Sequence, residues 1–259
     1  ASSTDGNYNG RNASDVSLTN LDNDTVNTLV VDTTSDTIDG ATSSIAALLA
    51  NKGGDNQISL REAILAINNT PPGSYPVRIE FNIPGNGVHT LTLNSQLPNI
   101  TKPVIIDATT DDSFAANGNR PAIVLNVNGL ANSTGLVLEG GASGSTIRGL
   151  VITNFTDVGI LLQSTANDNT IAGNVAGLRT DGSTRLPNAQ GVYVAGAGNT
   201  VAFNRAGVVI WNTGTGNAIL VETHRGPPDA DGNRGQSRNG WRLEQLPADA
   251  SRFNDQRQH

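Results

Sequence analysis

Apolar residues in this chain fall in short bursts separated by Asn, Gly, Thr and Ser, rather than in long helical stripes. Thr28–Asp32 (TLVVD) is the first stretch that reads as a strand. Two short helices are expected after it. One lies near Ser44–Ala50 and stops at Lys52-Gly53-Gly54. The other opens on Ser59-Leu60-Arg61-Glu62, which has the spacing of a capping box, and it sets Leu60, Ile64 and Ile67 on one face. Pro71-Pro72-Gly73 ends it. From Val77 on, the texture is that of strands parted by turn residues. The pattern predicts strands at Arg78–Ile83, Thr90–Leu93, Val104–Asp107, Ala122–Val127, Leu136–Glu139 and Thr146–Thr153. It continues with Gly159–Leu162, Asn169–Ala172, Gly191–Val194, Asn199–Ala202 and Gly207–Ile210. No helix is expected in this run, which excludes βαβ units.

Two motifs recur in step. Ser145-Thr146-Ile147 returns as Asn169-Thr170-Ile171 and Asn199-Thr200-Val201, at spacings of 24 and 30 residues. Gly135-Leu136-Val137-Leu138 returns as Gly159-Ile160-Leu161-Leu162 and Gly191-Val192-Tyr193-Val194, at spacings of 24 and 32. The added length sits in the polar insertion Arg179–Gln190. Several short strands repeated at such a period predict an all-β solenoid, a right-handed parallel β-helix capped at its start by the second helix. The expected organisation is a polar arm over 1–27, a cap with short helices over 28–76, and parallel β-helix coils over 77–220. An atypical tail fills 221–259.

Composition agrees with many turns and few helices: 31 Asn, 29 Gly and 26 Thr stand against 2 Lys. The net charge of −7 argues against nucleic acid and anionic membranes as partners. There is no Cys, so no thiolate zinc site or thiol nucleophile exists. No apolar run reaches the roughly 18 residues of a membrane span. A chain that starts at Ala1 suggests a processed N-terminus. The tail is compositionally distinct: six acids balance six Arg, and the repeat is expected to stop at Gly216–Leu220. The tail is either a C-terminal cap or a stretch in a non-native reading frame, and as a cap it could brace homo-oligomers through the coil ends.

The stretch Asn56–Ile64 (NQISLREAI) resembles the N-terminal CSLREA segment of bacterial right-handed β-helix surface proteins, with Ile58 where that family usually has Cys. Asn169–Val194 is similar to their repeat, in which a GN-x-x-G turn leads through a polar loop into a Gly-Val strand. The likeness covers roughly residues 28–220. It implies a secreted or surface-attached β-helix whose helical segment closes the N-terminal end, often adhesin-like or carbohydrate-engaging.

Candidate chemistry is sparse. Asp107, Asp111 and Asp112 form the densest acidic cluster; such carboxylates could serve as acid and base in sugar hydrolysis or hold Ca²⁺, or simply cap turns. Glu139, Arg148 and Asp157, with Gln163 one repeat after Glu139, are read as a polar line for sugar hydroxyls. Asp229–Asn233 alternates oxygen ligands but lacks the distal Glu of a calcium loop. His89, His224 and His259 are too scattered in sequence for a zinc motif. The order of acidic, Gly-His-Gly and basic motifs found in polygalacturonases is missing. The leading expectation is therefore a secreted or cell-surface module that engages polysaccharide or another extended ligand. A glycoside hydrolase or polysaccharide lyase, and a structural spacer, stand as alternatives.

Overall fold

The computed structural model describes residues 28–71, 73, 75–127, 129–181, 183–206 and 210–221. The polar arm, nearly all of the 221–259 tail, and with them His224, His259 and the Asp229–Asn233 loop, lie outside the described residues.

Strand β1 (Thr28–Val31) leads into helices α1 (Ile45–Ala50) and α2 (Leu60–Asn69). Then come β2 (Val77–Phe81), β3 (His89–Leu93), β4 (Val104–Asp107), α3 (Asp112–Ala116), β5 (Ile123–Val127) and β6 (Leu136–Leu138). They are followed by β7 (Thr146–Arg148), β8 (Leu150–Thr153), β9 (Val158–Leu162), β10 (Thr170–Ala172) and β11 (Val175–Ala176). The last four are β12 (Gln190–Val194), β13 (Thr200–Ala206), β14 (Ile210–Asn212) and β15 (Ala218–Val221).

The chain is mostly parallel β with few helices. One sheet runs β1-β2-β4-β7-β10-β13-β11-β8-β5-β3, with β15 also on β13, and a four-stranded sheet runs β14-β12-β9-β6. The large sheet curls because β13 serves two rows at once. Its Thr200–Ala202 half pairs with β10, and Arg205–Ala206 pairs with β11. From β7 onward the chain visits three strand rows in the same cyclic order, and each strand pairs in parallel with the one a repeat later.

Register explains the core. Leu29, Ile79, Ile106, Ile147, Ile171, Val201 and Ile219 stand in line across seven strands. The first six are completely buried. A second line joins Leu91, Leu125, Ile152 and Ala176, and a third joins Leu138, Leu162 and Val194. Each buried aliphatic side chain contributes roughly 1.5–3 kcal/mol of transfer free energy, so stacking one per strand builds a continuous interior. Glycine permits the close approach elsewhere: a Cβ on Gly159 would meet the carbonyl oxygen of Gly191 at 2.6 Å.

The turns are tied by side-chain amides. Ser145 Oγ accepts the Val104 amide at 2.9 Å, Asn169 Oδ1 the Ser145 amide at 2.8 Å, and Asn199 Oδ1 the Asn169 amide at 2.8 Å. Asn217 Oδ1 adds a further rung, on the Asn199 amide, at 2.7 Å. A second ladder joins Leu150, Asn174 and Asn204. These bonds satisfy buried backbone donors that sheet pairing leaves open at the corners.

The SLREA stretch is accounted for residue by residue. Ser59 Oγ accepts the Glu62 amide while Glu62 Oε2 accepts the Ser59 amide, completing the capping box. Glu62 Oε1 also holds the amides of Asp39 and Gly40. Arg61 forks onto both oxygens of Asp36 and donates to the Ser95 and Gln96 carbonyls. Leu60, Ile64 and Ile67 are buried in the core, where Ile64 and Ile67 line a narrow gap with Ile79, Ile100 and Val104.

Four expectations are corrected. Helix α3 and two single 3-10 turns, Ala108–Thr110 and Gly140–Ala142, interrupt the strand run. The Asp111-Asp112 loop is instead the start of α3, because Asp111 caps it through the Ser113 amide. The single strand Thr146–Thr153 breaks at Gly149, which has φ +77°. Finally, the repeat does not stop at Gly216–Leu220: β15 pairs with β13 and Asn217 extends the ladder. Strand β11, whose Val175-Ala176 lies between turn residues, escaped the pattern for want of length.

Candidate functional site

Where sheet rows meet at β7–β8, β10–β11 and β13, successive repeats place Gly149, Gly173 and Phe203 at one corner position. All three have left-handed backbone, with φ of 77°, 64° and 56°. The glycines tolerate this freely; a Phe with positive φ is strained. Phe203 nevertheless stays 64% exposed, so burial gives little in return.

The space left by the glycines is a groove of about 450 Å³. Its floor is the corner itself, with Arg148, Asn174, Val175 and Arg205 beside the glycines and Phe203. The segment around α3 supplies the other wall through Thr109, Phe114 and Asn119-Arg120-Pro121. Arg205 follows Val124, Val151 and Val175 along the outward row of the second sheet, so its aliphatic stem continues an apolar strip while its guanidinium reaches the groove.

Asp107 lies behind this wall. It is 1% exposed and accepts from Arg148 and, at 3.3 Å, from Arg78. Its Oδ1 also holds the Thr109 hydroxyl and amide. Burial works to raise the Asp107 carboxyl, but hydrogen bonds from Arg148 and Thr109, with the Arg148 charge, outweigh it and keep it below the ordinary carboxylate range. The hydrogen bond to Asp107 in turn raises Arg148, against its partial desolvation. A carboxylate so held stays ionised and cannot donate a proton at neutral pH.

The acidic trio is therefore divided. Asp107 belongs to the arginines. Asp111, 2% exposed, accepts the Ser113 amide on one oxygen and the Ile83 amide at 2.9 Å on the other. Asp111 and exposed Asp112 lie with His89 so that one ligand atom from each falls within 4.8 Å of the others. Sequence reasoning missed His89, which only the β3–β5 pairing brings beside α3. Calcium prefers oxygen ligands, so the imidazole points to a transition metal if any. Both Asp111 oxygens already bind α3 and the turn after β2, and His89 Nε2 sits 3.2 Å from the Gly85 carbonyl.

The expected polar line is also dispersed. Glu139 Oε1 accepts from Asn99 at 2.7 Å, Asp157 Oδ2 accepts from Thr134, and Arg148 faces the groove. Among the described residues no hydrogen bond or ion pair joins these three. Gln163 does follow Glu139 in register, but Ala195 takes the next position and the line stops. Of the nominated ligand-binding residues, only Arg148 lines the groove. Arg120, Arg205, Phe114 and Phe203 were not foreseen, although one signal was legible: Ile171-Ala172-Gly173-Asn174 aligns with Val201-Ala202-Phe203-Asn204, exposing the exchange of Gly for Phe.

A second aromatic feature, Tyr193 beside Trp211 on the four-stranded sheet, is half-buried, with ring centroids 6.3 Å apart. Among the described residues no helix is long and apolar enough to cross a membrane. No protein-family model, curated protein or solved structure matches the chain.

Proposed function

We propose that the chain is a right-handed parallel β-helix module, secreted or cell-surface attached and akin to the CSLREA-type proteins, that engages polysaccharide along its flank at the Phe203 groove. Cyclic strand order, aliphatic stacking and amide ladders support the β-helix reading, and the strong preference of parallel crossovers for one hand supports right-handedness. One observation carries the functional reading: an aromatic ring held exposed, at a backbone cost, where the preceding repeats have glycine. Strain of this kind persists where the surroundings impose it and clusters at ligand sites. A flat ring beside guanidinium groups suits a pyranose, whose C–H face stacks on the aromatic while its oxygens accept from arginine.

Binding is favoured over turnover because Asp107 and Asp111, the buried acids nominated for catalysis, are occupied in an ion pair and a helix cap. A glycan array on the protein and its Phe203→Ala variant tests the reading, followed on each hit by reducing-sugar and unsaturated-product assays. Binding that disappears in the variant, without product, is the expected result. Silence across the array, or hits indifferent to Phe203, would overturn it.

A further inference from the structure

Charge around the groove is opposite in sign to that of the chain. Three arginines line it, and no Asp or Glu does. Arg148 and Arg78 are compensated by Asp107 and Glu80. Arg120 and Arg205 are not: Arg120 donates only to Asn117, and the Arg205 side chain makes no ion pair among the described residues. Two uncompensated guanidiniums therefore flank Phe203 on a protein of net charge −7. Arginine presents a planar fork that meets carboxylate or sulfate oxygens in pairs, and it does so best where no protein acid competes.

Resting on the polysaccharide reading above, we infer that the groove selects an acidic polysaccharide, with Arg120 and Arg205 taking its carboxylate or sulfate groups while Phe203 stacks on a ring. The corner positions Gly149, Gly173 and Phe203 span two strand spacings, roughly 10 Å, which accommodates consecutive sugars of a linear chain. Neutral glycans would use the ring alone and bind more weakly.

The test titrates matched polymers into the full chain: polygalacturonate against its carboxyl-reduced form, and dextran sulfate against dextran. Arg120→Gln with Arg205→Gln, and Phe203→Ala, serve as variants, each checked for unchanged circular dichroism and melting temperature. The expected result is a preference of at least about tenfold for one acidic polymer over its neutral partner. The double arginine variant should abolish the preference, while Phe203→Ala weakens both members of that pair. Equal affinity for acidic and neutral partners, lost in Phe203→Ala but untouched by the arginine changes, would overturn this inference and leave glycan binding intact. Acidic polymers that bind equally well to all variants, or polymers that do not bind at all, would overturn both.

Discussion

Phe203 occupies the register position that Gly173 holds one repeat earlier, and both take left-handed backbone, at φ 56° and 64°. The neighbouring asparagines are linked as well, since Asn204 Oδ1 accepts the Asn174 amide at 2.9 Å. The ladder thus fixes the corner conformation, and the side chain at position 203 must accept it. A side chain at Gly173 would meet nothing within 4 Å, which is why the groove opens there and Phe203 forms its end.

Replacing Phe203 with Gly should therefore separate stability from binding. Relief of left-handed strain is worth roughly 1–2 kcal/mol, offset by about 0.5–1 kcal/mol of added freedom in the unfolded chain. Denaturant unfolding should show a variant at least as stable as the parent, by up to about 1 kcal/mol. Its glycan affinity should fall. A clear loss of stability would mean that the ring packs in solution, contrary to its exposure.

Asp107→Asn should cost about 1–3 kcal/mol at neutral pH, because Arg148 and Arg78 lose the carboxylate between them. The pH dependence follows from the lowered carboxyl. Its stabilisation is present above the unfolded value of about 3.9 and is lost as pH falls through the lower folded one. Urea melts of parent and variant should differ at pH 7 and converge below about pH 4. A gap unchanged in acid would show that the carboxylate charge is not the source.

Asn199→Ala should destabilise by roughly 2–4 kcal/mol. The fully buried Asn199 accepts from the Asn169 amide and side chain and donates to the Ala166 carbonyl at 3.1 Å, all of which would be orphaned. Hydrogen exchange should quicken first at the Asn169 amide. Thermal melts within a degree or two of the parent would contradict the ladder's role.

Much of the architecture was legible because it repeats. A period of 24 residues with two motifs in step already implied that Ile147, Ile171 and Val201 would stack, and they do. The capping box at Ser59 was readable from local spacing alone. What was not legible came from contacts distant in sequence. Asp107 looked like a companion of Asp111, four residues on, but pairing of β4 with β7 gives it to Arg148, 41 residues away. Arg120 lies in a turn-rich segment and Arg205 at the end of an apolar row, so neither carried a pattern. Helix α3 is one turn long and held by its Asp111 cap, too short for periodicity to show.

Ile64→Asp tests the N-terminal cap. Ile64 is 2% exposed and belongs to the main core, so a charge there should cost several kcal/mol and unfold or aggregate the protein. Light scattering and circular dichroism decide it. A soluble variant with an unchanged melting temperature would remove α2 from the core.

The most direct measurement is a nuclear magnetic resonance titration of ring-labelled Phe and of arginine Nε–H groups with an oligogalacturonide. With only five Phe in the chain, Phe203 is assignable by substitution. The account predicts ring-current shifts at Phe203 and coupled shifts at Arg120 and Arg205, with Tyr193 and Trp211 unmoved. Saturating ligand that leaves Phe203 unshifted, or that shifts the Tyr193–Trp211 face instead, would contradict it.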